Sequence, residues 1–182
     1  MTEEWHKPLE PELLFWILGM MPITVCSITK GNLIYLLRKQ CFLVMAVIEC
    51  SIEVNAPIEK VWDLVSDIDN EPKFWKGTLQ VRNFSKEGNV VNREITIAFR
   101  DQKCQQEVTL YPKEKIVAVF TKGIISGSKA VNLNSQDQQT LLEVKWDVKL
   151  TGIMSMFTGM VTKHIRNGTD LALRSIKEEL ER

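Results

Sequence analysis

Two segments of this sequence alternate between apolar and polar residues, and this alternation constrains the fold more than any other feature. In residues 47–54 (VIECSIEV) and 141–150 (LLEVKWDVKL), the even-numbered residues are apolar and the odd-numbered residues are mainly polar. Successive side chains of a strand point to opposite faces of a sheet. The pattern therefore predicts antiparallel strands with one buried face and one solvated face.

Further strand candidates lie between these two segments. They fall near residues 78–84, 90–100, 103–112, 115–122 and 129–134. Turn-forming residues separate them, for example Gly88-Asn89 and Pro112-Lys113. Strands joined by short turns of this kind pair with their sequence neighbours, so the pattern predicts a seven-strand antiparallel meander.

Helices are predicted at both ends of this meander. Pro57 follows the first strand and suits the first turn of a helix, where its missing N–H group has no partner to lose. A second short helix is predicted over Ile68 to Trp75. After Gly152 the apolar spacing becomes helical up to the C-terminus. The predicted buried stripe of this long helix comprises Ile153, Phe157, Val161, Ile165, Ala172, Ile176 and Leu180.

These elements predict an α+β fold with two short helices after the first strand. A curved antiparallel seven-strand sheet around the long C-terminal helix is the compact way to bury both apolar faces. The space between sheet and helix is then either a packed core or a lined cavity.

Three stretches resemble the START-like superfamily, which includes polyketide cyclases, lipid-transfer domains, coenzyme Q-binding proteins and birch-pollen-allergen-like proteins. They are residues 52–67 (IEVNAPIEKVWDLVSD), 71–77 (EPKFWKG) and 171–177 (LALRSIK). The resemblance covers residues 46–182 and implies a helix-grip fold that encloses a hydrophobic cavity. It indicates fold better than chemistry, because members of one fold carry out many functions.

The first 44 residues differ from the rest, so two parts are predicted: an apolar N-terminal extension, 1–44, and a START-like domain, 45–182. Residues 13–29 carry no charge, but they are shorter than a spanning helix and contain Pro22. Three interpretations remain open for the extension. In the first, Met45 is the natural start of the protein. In the second, residues 13–44 contact a membrane, and in the third an extra helix packs on the domain.

Composition excludes several classes of function. The 23 Lys and Arg residues balance 23 Asp and Glu residues, which argues against nucleic-acid binding. Four cysteines without a CxxC pair and two histidines argue against a metal site. No cofactor is expected. Free thiols point to the cytoplasm, with membrane association as the alternative.

Arg93 is the most informative polar residue, because it shares a strand face with Ile95, Ile97 and Phe99. Gln106 similarly shares a face with Val108 on the next strand. An arginine and an amide in an apolar cavity would hold the polar end of a ligand. The alternative is that Arg93 lies beyond the sheet edge in water.

The predicted function is binding of a hydrophobic small molecule such as a lipid, an isoprenoid quinone or a polycyclic compound, with transport of that molecule as an extension of it. Binding is preferred because no set of acid and base residues stands out in the sequence. An enzyme of the cyclase or dehydratase type is the alternative. The predicted cavity residues are Arg93, Ile95, Ile97, Phe99, Gln106, Val108, Val119, Trp146, Met154, Phe157 and Val161.

Overall fold

The computed structural model describes residues 45–150 and 158–182. Seven strands run over Met45–Val54 (β1), Thr78–Glu87 (β2), Val90–Ile97 (β3), Lys103–Tyr111 (β4), Lys115–Lys122 (β5), Ile125–Gln136 (β6) and Gln139–Leu150 (β7). Helix α1 spans Ile58–Val65, a 3-10 turn spans Glu71–Lys73, and helix α2 spans Thr158–Leu180.

The seven strands form one antiparallel sheet in the order β1-β7-β6-β5-β4-β3-β2. Strands β2 to β7 are a meander, and β1 adds to its far edge by pairing with β7 in a register that aligns Ile48 with Trp146. We call the sheet face that packs against α1 and α2 the inner face. The predicted α+β helix-grip fold is confirmed.

Hydrophobic burial explains why the strands adopt this register. The inner face of β1 and β7 buries Ile48, Val54, Leu142 and Val144 in one cluster with Val61 of α1. Helix α2 adds buried residues of its own to this core, which are Ala172, Leu173 and Ile176. Side chains of this size each contribute about 1.5–3 kcal/mol when fully buried.

The segment between α1 and β2 differs from the prediction. The second short helix, predicted over Ile68 to Trp75, is present only as the three-residue 3-10 turn. Asp67 and Asn70 explain the difference, because the Asn70 side-chain amide donates a 2.7 Å hydrogen bond to the Asp67 carboxylate. Such local side-chain bonds favour turns over helix.

The long C-terminal helix is confirmed from Thr158 onward. Ala172 and Ile176 of the predicted stripe are buried, and Ile165 and Leu180 pack partly against the same core. Ile153 and Phe157 lie outside the described residues. Leu173, which the predicted stripe omits, is fully buried.

The N-terminal extension, 1–44, also lies outside the described residues, so its three interpretations and the boundary at residue 45 stay predictions. Within residues 45–150 and 158–182, no helix is long and apolar enough to cross a bilayer.

A substitution at Gly127 tests how closely β6 pairs with β7. Its φ is +110°, and a β-carbon there would lie 2.0 Å from the carbonyl oxygen of Asp147. We expect Gly127→Ala to lower the free energy of unfolding by at least about 2 kcal/mol. An alanine is strained at this positive φ, and its β-carbon would also clash with the Asp147 backbone. The control is Gly77→Ala, since a β-carbon at Gly77 meets no atom within 4 Å. Urea unfolding of both variants measures the difference, and equal midpoints would contradict this register.

Candidate ligand site on the inner face

Arg93 lies on the inner face of β3, next to the edge strand β2, and only 1% of its surface is exposed. Its register partner on β4 is Gln106, whose Oε1 accepts a 2.9 Å hydrogen bond from Arg93 Nε. Arg93 Nη1 donates to the carbonyl oxygen of Ile68 at 3.0 Å. The alternative that Arg93 lies in water beyond the sheet edge is therefore wrong.

Two charged residues that the sequence pattern does not single out complete this site. Glu71, in the 3-10 turn, accepts hydrogen bonds from Arg93 Nη2 and from Lys129 Nζ of β6, through one carboxylate oxygen each. Both Glu71 and Lys129 are buried. We call Glu71, Arg93, Gln106 and Lys129 the buried ion cluster. It joins the α1–β2 connection to β3, β4 and β6.

Aromatic rings border the cluster at Lys129. Lys129 Nζ lies 4.0 Å from the ring centroid of Trp75 and 5.4 Å from that of Trp146. The two indole rings meet edge to face at 6.3 Å, and Phe120 stacks on Trp146 at the same distance. Ring faces attract a cation and so replace part of the hydration that the buried ammonium has lost.

The charged residues of the cluster shift one another's pKa values. Burial by itself would raise the pKa of Glu71, but the attraction of Lys129 and Arg93 outweighs it and lowers that pKa to about 2. Burial lowers the pKa of Lys129, Arg93 acts in the same direction, and the Glu71 carboxylate opposes both. With Lys129 protonated, two cations face one carboxylate, and the cluster carries a formal charge of +1.

Several predicted cavity residues do meet on the inner face. Ile95 and Ile97 are buried beside Cys104 and Phe120 in an apolar group that we call the small cluster. Val108 lies in the main core. Trp146 packs against both groups, and its Nε1 donates a 3.0 Å hydrogen bond to Thr169 of α2.

Phe99 and Val119 do not lie on the inner face, so their predicted placement is wrong. Strand β3 ends at Ile97, and Phe99 is 39% exposed in the following turn, which Arg100 and Asp101 build with positive φ angles. Val119 is 41% exposed because the buried positions of β5 are even-numbered.

The predicted helix residues are only partly placed. Val161 is half-buried on α2, whereas Met154 and Phe157 lie outside the described residues. Whether any of the predicted residues contacts a ligand stays a prediction.

The cysteines of the domain do not favour nucleophilic chemistry. Cys50 and Cys104 are buried free thiols, as their positions on the inner face predict. Burial and the neighbouring Asp170 carboxylate raise the pKa of the Cys50 thiol to about 11. A thiol with such a pKa is almost wholly protonated at neutral pH and reacts slowly. Among the residues that the structure describes, no three His, Cys, Asp or Glu side chains group as a metal site would require.

The opposite face of the sheet carries a groove of about 450 Å³. Five of its six lining residues have polar side chains, in contrast to the small cluster on the inner face: Gln80, Val81, Arg82, Glu94, Thr96 and Lys103.

Residues 45–181 match a family model described as polyketide cyclase / dehydrase and lipid transport. The chain belongs to this family. The match spans the sheet, both helices and the whole buried ion cluster. The resemblance to START-like proteins is thereby confirmed. No curated protein matches the sequence.

Several solved structures share the fold of this member of the polyketide cyclase / dehydrase and lipid transport family. Their sequence identity to it is low. TTHA0849 from Thermus thermophilus has a TM-score of 0.65 and 13% identity, covering 74% of this chain and 97% of its own. The Zhui aromatase/cyclase from Streptomyces sp. R1128 has a TM-score of 0.64 and 16% identity, with coverages of 76% and 95%. A START superfamily protein from Mycobacterium smegmatis has a TM-score of 0.56 and 18% identity, with coverages of 74% and 98%.

Proposed function

We propose that the domain binds a hydrophobic small molecule at its inner face, beside the small cluster and Trp146. The observation that carries this proposal is the buried ion cluster. It is a fixed group of charges inside a face that is mainly apolar, and it borders a group of aromatic rings. A few oriented polar groups in an apolar surround are typical of small-molecule sites.

Energetics supports this interpretation over a purely structural one. Burying three charged side chains costs several kcal/mol per ion before their mutual attraction repays it, and apolar residues of similar volume often stabilise a core as well or better. Such costs are frequent at functional sites, where charges are held in place for a ligand. The family description, with its mention of lipid transport, points to the same class of molecule.

A cyclase or dehydratase activity is the second candidate, because Arg93 and Lys129 could stabilise an enolate. Several of the similar structures are aromatase/cyclases. Glu71 argues against this candidate. A general base works best with a pKa near the working pH, and the pKa of Glu71 is about 2. Glu71 is therefore a poor general base, which favours binding over turnover.

The binding of the neutral fluorophore Nile red tests the proposal. We expect a dissociation constant in the micromolar range, which corresponds to about 8 kcal/mol of binding free energy. Trp146→Ala should weaken binding about tenfold or more, since Trp146 contacts both apolar groups. Its loss of stability should stay below the ~3–5 kcal/mol typical of a filled core.

Val119→Ala is the control, because the Val119 side chain is exposed. It should leave both probe binding and stability nearly unchanged. If the parent protein does not bind the probe and Trp146→Ala strongly lowers the melting temperature, the inner face is a filled core and the proposal fails. Native mass spectrometry of the purified protein would identify a bound molecule, and turnover of that molecule would favour the enzyme.

A further inference from the structure

We infer that the ligand carries an acidic end group, and that its anion binds beside Lys129 and Arg93. This inference rests on the proposed function and adds the chemical class of the ligand. A carboxylic acid on a hydrophobic body is the simplest molecule of this class.

Charge balance is the first argument. The Arg93 guanidinium and the Lys129 ammonium are both buried, and the described residues place one carboxylate, that of Glu71, in contact with them. A buried charge without a counterion is expensive. With Lys129 protonated, a second carboxylate at this site would make the cluster neutral, whereas an alcohol or a hydrocarbon would leave it charged.

Unused donor capacity is the second argument. An ammonium group has three N–H donors. In the described part of the chain, Lys129 donates to Glu71, and its remaining contacts are with the ring faces of Trp75 and Trp146. A ring face holds a cation less strongly than a charge-assisted hydrogen bond does. An incoming carboxylate oxygen would therefore replace a weaker contact with a stronger one.

The position of the rings supplies the third argument. Trp75 and Trp146 are half-buried, and both rings contact the buried ammonium group of Lys129. A small displacement of either ring would bring the ammonium into contact with a ligand without opening the hydrogen bonds of Arg93. Trp146 also packs against the small cluster, so a chain attached to the acid would lie on apolar side chains such as Phe120 and Ile125.

A matched pair of ligands tests the inference. Decanoate and decanol have the same chain, and at pH 7.4 only decanoate is charged. We expect calorimetric titration of the full chain to show decanoate binding about tenfold more tightly than decanol, as charge-assisted hydrogen bonds imply. Lys129→Met should reduce this preference to about twofold or less.

Lys145→Met is the control, because Lys145 also pairs with a glutamate, Glu49, but on the exposed face of the sheet. It should keep the full preference for decanoate. Glu71→Gln should act in the opposite direction to Lys129→Met and increase the preference, since it removes the competing carboxylate. The comparison of decanoate with decanol on the parent protein needs no substitution, so the inference stays falsifiable even if neither variant folds.

The outcomes separate the two proposals. If the parent protein binds the acid and the alcohol equally, the inference is wrong and the proposed function stands. If it binds neither ligand, the inference is wrong, and the binding of Nile red decides whether the proposed function stands. A preference for decanoate that Glu71→Gln lowers would also overturn the inference.

Discussion

Replacing Glu71 by glutamine should lower the free energy of unfolding by about 3–5 kcal/mol at neutral pH. The substitution leaves Arg93 and Lys129 buried without a counterion, which is the costly way to break a buried ion pair. Denaturant unfolding at pH 7 measures the loss. Glu59→Gln is the matched control, because Glu59 forms an exposed pair with Lys113 and should contribute little.

The difference in unfolding free energy between the parent protein and Glu71→Gln should depend on pH. The pKa of Glu71 is about 2 in the folded protein, below its ordinary value of 4.5. Its ionised form therefore stabilises the fold fully above pH ~4.5, and this contribution of roughly 3 kcal/mol is lost as the pH falls towards 2. The stability difference between the parent and Glu71→Gln should shrink over that interval. A difference that stays constant from pH 6 to pH 2.5 would contradict the ionised, buried state of Glu71.

Removing residues 153–182 should abolish cooperative folding altogether. Helix α2 contributes Ala172, Leu173 and Ile176 to the core, and without them the inner face of β1 and β7 would be exposed to water. Thermal unfolding followed by near-ultraviolet circular dichroism should show no transition. A sharp transition in the truncated chain would contradict the role of α2 as a cover of the sheet.

Two leucines of α2 give a milder version of this experiment. Leu173 is fully buried, whereas Leu171 is largely exposed. Leu173→Ala should therefore cost about 2–5 kcal/mol and Leu171→Ala should cost much less. Similar losses for the two variants would mean that the helix packs with a different face.

The strands could be predicted from the sequence because the sheet has one buried face. In β1 and β7 every second residue is apolar, and both strands lie where the alternation predicts them. Strand β6 is predicted only over 129–134, but it begins at Ile125. Ser126, Gly127 and Ser128 interrupt its apolar pattern, so the first residues of this strand carry no hydrophobic signal.

The ion cluster could be predicted only in part. Arg93 and Gln106 stand in an apolar alternation, and that signal is sufficient to select them. Lys129 also shares a face with Val131 and Leu133, but it is the first residue of the predicted strand 129–134, where a lysine ordinarily faces water, so the pattern does not select it. Glu71 lies in a connection with no periodicity, so only the three-dimensional path of the chain brings it to Arg93.

Val119 shows where alternation fails. Strand β5 reads Ile116-Val117-Ala118-Val119-Phe120, so both of its faces are apolar. Periodicity cannot choose between two apolar faces. The pairing of Phe120 with Gln106 and of Ala118 with Val108 settles the choice, and pairing between strands is a property of the whole sheet.

The pairing of β1 with β7 has a consequence for how the chain folds. Strands β2 to β7 are joined by short turns, so each can pair with a neighbour soon after that neighbour forms. Strand β1 must instead find a partner at the far end of the domain, where Val54 meets Thr140 and Met45 meets Lys149. Closing so long a loop carries a large entropic cost and slows folding. During synthesis, β1 leaves the ribosome first and waits for β7, so its apolar residues remain unpaired until almost the whole domain has been made.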